Sequence, residues 1–397
     1  MQLIGPFTQL VTMDRLPNAG PLSDDQLEII QDAGILVQDG MIAKIGSYQD
    51  LVPQSESKVE VEGPAVVIPG LIDSHTHMCY GGSRAGDYAL RVSGVSYQEI
   101  AKRGGGILDT VTKTREASKE SLVSSLLERC QKQLQWGVTT CEVKSGYGLS
   151  VKDELKMLEA IQEVSKMQNV DLISTCLAAH TKPKEWNSSK EYLQHIIDEL
   201  FPVVRERKLS SRMDIFVEEG AFSVEEARHY LQAAKEQGFS VTVHADQFSR
   251  GGALLASEVG ALSADHLEAS TETDCASMKE HGVIPIVLPG ASLGLGMEMP
   301  PARLLLDSGL PLVIASDWNP GSAPMGNLLL QAAVLGAAQK LTMAETLAAL
   351  TVRAAAALEL SDRGVIAKGK RADLTIYPCG DYREILYQQG SLLPIMP

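Results

Sequence analysis

The sequence predicts an α/β protein, a (β/α)8 TIM barrel with a small β-sandwich domain formed by both termini. Three observations predict it. Between residues 65 and 360, apolar β-branched runs alternate with helical stretches eight times, and eight successive βα units make a barrel of roughly 250 residues or more. Most of the histidines stand where such runs end, so they share one end of successive strands. Both flanks drop the alternation and read as short β-segments.

The first barrel strand covers 65–77, an apolar run from Val66 to Ile72 closing on Asp73-Ser74-His75-Thr76-His77. A long helical region follows from Tyr97 to Trp136. The second strand, Val138 to Lys144, leads to a helix over 151–167. The third ends at His180 after Leu172 to Leu177, with a helix at 189–207. The fourth, Met213 to Glu218, precedes a helix at 223–237. The fifth and sixth end at His244 and His266, with helices at 251–259 and near 271–281. The seventh, Val283 to Leu288, leads to a helix at 301–308. The eighth ends at Asp317, followed by helices at 325–339 and 343–359.

The flanks carry different signals. Asp39-Gly40 sits between two strand-like runs in 33–46, which is a hairpin signal. Residues 364–377 read as short β again. Neither flank buries much surface alone, so residues 1–64 and 361–397 are expected to pair into one domain beside a 65–360 barrel.

Bulk composition narrows the classes of function. A chain of 397 residues with 44% hydrophobic and 21% charged residues is ordinary for a soluble enzyme. A formal charge of −15 argues against a nucleic-acid partner. It leaves room for a small anionic ligand, because one arginine can capture a carboxylate. No apolar run reaches the roughly 20 residues that span a bilayer, so no membrane partner is expected. Six cysteines without Cys-x-x-Cys pairing read as reduced thiols of a cytoplasmic protein.

The histidines carry the chemistry. His75 and His77, at i and i+2 of an extended segment, point to the same side and can bite one metal ion. Each of His180, His244, His266 and Asp317, taken singly, is a hydrogen-bonded core residue or a strand-end cap. All of them at the same strand ends, where barrel active sites lie, make a shared site the better reading.

The run Pro69-Gly70-Leu71-Ile72-Asp73-Ser74-His75-Thr76-His77, with Ala372-Asp373-Leu374 near the C-terminus, resembles the amidohydrolase superfamily. Gly81-Gly82-Ser83-Arg84, Gly104-Gly105-Gly106-Ile107, Glu142-Val143-Lys144-Ser145-Gly146-Tyr147-Gly148, Glu219-Gly220-Ala221-Phe222, His244-Ala245-Asp246-Gln247 and Ser316-Asp317-Trp318-Asn319-Pro320-Gly321 narrow the resemblance to a branch that opens an imidazolone ring. It covers nearly the whole chain. It implies hydrolysis of 4-imidazolone-5-propanoate to N-formimidoyl-L-glutamate with one divalent metal ion per chain, zinc or iron, and a homodimer.

Carried over residue by residue, the resemblance implies His75, His77, His244 and Asp317 as metal ligands, with Asp317 also the general base. His266 and His180 can each donate to the substrate carbonyl or the developing oxyanion; His266 reads equally well as a hydrogen-bond partner behind the ligands, and the family pattern puts His180 in substrate contact. Gln247 suits the edge of a cyclic amide, since it both donates and accepts. Arg84 and Tyr147, with Asn319, Gly321 and Ser322, are the expected specificity residues, Arg84 clamping the propanoate. Three features are set aside: Cys79 as a further ligand, Lys144 as a metal-bridging carboxylated lysine, and Glu218 with Glu219 as a glycosidase pair. The competing readings are another cyclic amidohydrolase or deaminase, and a barrel that binds without catalysing.

Overall fold

A computed structural model describes residues 1–95, 99–100 and 104–395. Its first β-layer comes from the termini. β1 (Gln2–Val11), β2 (Ile29–Gln38), β3 (Met41–Ser47), β4 (Ser57–Glu60), β5 (Val66–Pro69) and β14 (Leu374–Tyr377) form one six-stranded mixed sheet ordered β14-β5-β1-β2-β3, with β4 on β1. The expected hairpin is β2–β3: Asp39 and Gly40 have φ of 51° and 74°, the left-handed pair that a two-residue turn needs.

The second layer is the barrel. β6 (Leu71–Asp73), β7 (Val138–Lys144), β8 (Asp171–Ala179), β9 (Arg212–Phe216), β10 (Ser240–Ala245), β11 (Ser263–His266), β12 (Ile284–Val287) and β13 (Val313–Ile314) pair in sequence order as one parallel sheet. Their residues are buried almost throughout, as a parallel sheet covered by helices demands. Among the described residues no helix is long and apolar enough to cross a membrane.

Several expected elements are cut differently. The single strand at 65–77 becomes two, because the chain leaves the terminal sheet after Pro69 and enters the barrel at Leu71. Gly70 makes the crossing: its N–H donates to Asp373 O at 2.8 Å, and a Cβ there would stand 2.1 Å from Thr139 Oγ1. The helical region from Tyr97 to Trp136 resolves into Ile107–Glu116 and Lys119–Gln135, since Ser118 caps the second by accepting from Ser121 N. Tyr97 itself lies outside the described residues. The helix at 189–207 holds a π-turn at Ile196–Leu200 just before Pro202, which has no N–H to continue an α-helical ladder. Residues 343–359 form two helices, Met343–Ala349 and Val352–Ala357. Helices Ala85–Val92, Pro289–Leu295 and Arg383–Tyr387 were not expected.

The two layers are bolted together by charge. Arg363 reaches from the tail to Thr140 Oγ1 (2.9 Å) and Asp171 Oδ2 (2.6 Å), and Arg371 joins the same Asp171.

The crossing at Gly70 has a direct test. Gly70→Ala should cost about 1–3 kcal/mol through overpacking against the β-branched Thr139. Gly70→Ala/Thr139→Ala should recover most of that in urea titrations. A single variant within about 0.5 kcal/mol of the parent would show that the crossing has room to spare.

Candidate metal centre

The barrel closes through the residues that carry its chemistry. β6 stops at Asp73, and the chain continues extended through His75-Thr76-His77. Asp317 N donates to His75 O (3.0 Å), His77 N donates to Trp318 O (2.9 Å), and Thr76 bridges to Trp318. On the other side Lys144 N donates to Thr76 O at 2.9 Å. One step below, Asp73 accepts from Ser316 N (2.9 Å) and Oγ (2.5 Å) and from Gln133 Nε2 (2.9 Å). Burial pushes that carboxyl up to about 6 despite these donors.

Held this way, the alternate residues His75 and His77 face the barrel mouth together with His244 from β10. His77 Nε2 lies 3.3 Å from both His75 Nε2 and His244 Nε2, and all three rings are buried. These three close-set nitrogens form a group able to hold a metal ion. The ring orientations fit that use. His75 Nδ1 lies 2.6 Å from Asp265 Oδ2, so Nδ1 bears the proton and Nε2 keeps its lone pair. His244 Nδ1 is 3.0 Å from Asp214 Oδ2, off the line of a good hydrogen bond. Burial holds His75 and His77 well below the ordinary histidine value and draws His244 down to about 4. Metal binding requires those unprotonated imidazoles.

Asp317 supplies the carboxylate. Its Oδ1 stands 3.4 Å from His77 Nε2 and 3.8 Å from His75 Nε2. Its Oδ2 accepts from Asn319 Nδ2 at 2.9 Å, with Ser322 Oγ at 3.4 Å. Burial pushes the carboxyl up to about 7, partly offset by His266. Its backbone φ of 50° is left-handed and strained for a non-glycine residue.

The other expected residues divide. His180 and Tyr147 join the cluster: the His180 ring stacks on His77 at 5.2 Å, and Tyr147 lies 5.3 Å from His180 and 6.0 Å from His77. His180 Nδ1 donates to Gly146 O (3.1 Å), and burial lowers its pKa to about 3. His266 lies 5.4 Å from His244 and 6.0 Å from His75, ring to ring. Burial opposes its charge, but Glu268, with Oε2 3.7 Å from Nδ1, together with Asp317 and Asp265 raises the pKa. Gln247 is buried on the loop after β10, and among the described residues its amide makes no hydrogen bond.

Asn319 is spent within its own loop. Its Nδ2 also donates to Asp317 O (2.7 Å) and Ser322 Oγ (2.9 Å), while Oδ1 accepts from Gly321 N (2.7 Å) and Ser322 N (2.8 Å). Gly321 is small for a reason: a Cβ there would meet Arg84 Nη1 at 2.3 Å. Arg84 Nε donates to Asp87 Oδ2 (2.9 Å), which also accepts from Gly106 N (2.8 Å). Of the features set aside, Cys79 is buried in the hydrophobic core with Sγ near Met157 O, and Glu218 receives Phe248 N and Ser249 N.

Sequence reasoning missed Asp214, Asp265 and Asp87. Asp214 and Asp265 did leave a trace, since each is an acid inside an apolar strand. Asp87 left none.

Fold and site together define a metal-dependent hydrolase with the amidohydrolase architecture. The amidohydrolase family model matches residues 101–386. Among solved structures, a zinc-bound adenosine deaminase from Xanthomonas campestris is 18% identical, covers 99% of this chain and 89% of its own, and superposes with a TM-score of 0.73. An atrazine chlorohydrolase from Arthrobacter aurescens complexed with zinc is 16% identical over 97% and 90%, with a TM-score of 0.69. Imidazolonepropionase from Alkaliphilus oremlandii is 41% identical over 97% of this chain and 93% of the relative. That from Fusobacterium nucleatum is 40% identical over 96% and 93%. The chain belongs to the imidazolonepropionase family of amidohydrolases.

The Asn319 network has its own consequence. Asn319→Ala frees Asp317 Oδ2, so metal affinity should drop about 10–100-fold and kcat with it, measured by chelator competition and steady-state kinetics. A raised KM at unchanged metal affinity would make Asn319 a substrate contact alone.

Proposed function

We propose that this chain hydrolyses 4-imidazolone-5-propanoate to N-formimidoyl-L-glutamate. The observation that carries the reading is the convergence of His75, His77, His244 and Asp317 at the barrel mouth, in a chain about 40% identical to imidazolonepropionases along nearly its full length. Those four residues hold one divalent ion, zinc or iron, since three imidazoles and a carboxylate suit either. When bound, the ion supplies the Lewis acidity that brings a water's pKa to near 7. A single ion is favoured because the Lys144 ammonium is already engaged by Glu142 (2.7 Å) and Asp214 (2.9 Å), and so is not offered as a bridging carbamate.

The chain's own groups then move the proton. Asp317, anchored through Oδ2, takes a proton from the attacking water on its carboxylate. The water oxygen bonds to the ring carbonyl carbon, the ring C–N bond breaks, and Asp317 returns the proton to the leaving nitrogen. His266, at the edge of the histidine cluster beside Glu268, donates to the developing oxyanion. His180, with Nδ1 committed to Gly146, presents Nε2 to the substrate, and Tyr147 lies beside it. Gln247 meets the cyclic amide edge. Arg84, its Nε held by Asp87 and its Nη1 beside Gly321, leaves its terminal nitrogens to clamp the propanoate, with Asn319 and Ser322 shaping that loop. The same reading makes the protein a cytoplasmic homodimer, and its six cysteines are all free.

The test is turnover by metal-loaded protein on 4-imidazolone-5-propanoate beside hydantoin, guanine and cytosine. Only the first should be hydrolysed efficiently, and chelation should abolish the activity. Arg84→Gln should lose on the order of 2–5 kcal/mol in kcat/KM, mostly through KM, and Lys should restore only part. Efficient turnover of another heterocycle, or Arg84→Gln within about twofold of the parent, would overturn the substrate assignment.

A further inference from the structure

Beneath the three histidines lies a layer of buried charge. Glu142 and Lys144 are i and i+2 on β7, Asp214 is on β9 and Asp265 on β11, and all four are at most 1% exposed. The Lys144 ammonium stands 2.7 Å from Glu142 Oε1, 2.9 Å from Asp214 Oδ2 and 4.0 Å from Asp265 Oδ2. One compact cation thus serves three carboxylates inside the barrel.

The oxygens it faces are the informative detail. Asp214 Oδ2, beside Lys144, is the atom 3.0 Å from His244 Nδ1. Asp265 Oδ2, also facing Lys144, is the atom 2.6 Å from His75 Nδ1. His77, the third member, has neither a hydrogen bond nor a carboxylate beside its Nδ1 among the described residues. Two of the three imidazoles thus face carboxylates that share one ammonium, His75 by a hydrogen bond and His244 by a close 3.0 Å contact. From the far side Thr242 Oγ1 contacts both oxygens of Asp265 at 3.3 Å.

We propose that Lys144 is a positioning residue of the metal centre, fixing Asp214 and Asp265 so that His244 and His75 present Nε2 to the ion. The inference rests on the metal-centre reading above. It differs from simple compensation of buried charge. Compensation asks only that charges balance, whereas positioning asks for a compact ammonium at that spot. Lysine places a point charge on a flexible stem among three oxygens, and the planar arginine fork does not reproduce that geometry.

The experiment uses the metal-free full chain and cobalt(II) as the probe, read by chelator competition and by the visible ligand-field bands. Two variants separate the roles. Lys144→Arg keeps the charge. Lys144→Met/Glu142→Gln removes one charge of each sign and keeps the balance. Positioning predicts cobalt affinity about 10–100-fold weaker in both, with displaced bands, a lowered kcat and KM within about twofold at full metal loading. If either variant folds and keeps parental affinity and bands, Lys144 is only a charge compensator and the proposal falls. A parental chain that binds no cobalt would instead overturn the metal-centre reading.

Discussion

Closing the parallel sheet and building the site are one event in this molecule. The barrel shuts where His75-Thr76-His77 pairs with Asp317-Trp318 by main-chain hydrogen bonds of 3.0 and 2.9 Å. Those bonds fix the backbone under three of the four candidate ligands. Side-chain direction then follows from strand alternation: His75 and His77 face the mouth, while Thr76 donates back to Glu142 O at 2.7 Å. A barrel that failed to close would lose both its last pairing and its site.

Electrostatics sets the second condition. The histidine cluster sits on a layer containing Glu142, Asp214, Asp265 and Lys144, and burying such groups is unfavourable unless each finds a partner. The arrangement meets this from below with the Lys144 ammonium and from above with the His75 ring on Asp265, while His244 stands 3.0 Å from Asp214. Backbone strain collects in the same place. Asp246, His266, Leu267 and Asp317 all have positive φ, at or just beyond the ends of β10, β11 and β13. Non-glycine residues hold that conformation only where the surroundings enforce it, and His266 and Asp317 adopt it beside the histidine cluster.

Much of this was legible in the sequence. Eight strand–helix repeats and the strand-end histidines indicated the barrel and the end that carries its site, because period and burial follow directly from side-chain pattern. Asp39-Gly40 marked its hairpin. What stayed hidden depends on contacts distant along the chain. Gly70 reads as one residue of the first strand until Thr139 is seen against it. Asn319 reads as a ligand contact until its amide is found bonded on every side within one loop. Asp265 is 190 residues from His75, and no local pattern could join them. Helix boundaries were lost for a related reason, since Ser118 and Pro202 interrupt apolar periodicities that otherwise run on.

The central claim is that one ion sits among His75, His77, His244 and Asp317. The most direct measurement is anomalous X-ray diffraction from crystals of the metal-loaded protein at the zinc and iron absorption edges. The account predicts a single strong peak, about 2.0–2.2 Å from the three Nε2 atoms and from Asp317 Oδ1. Two peaks, or one peak lying away from these residues, would contradict it.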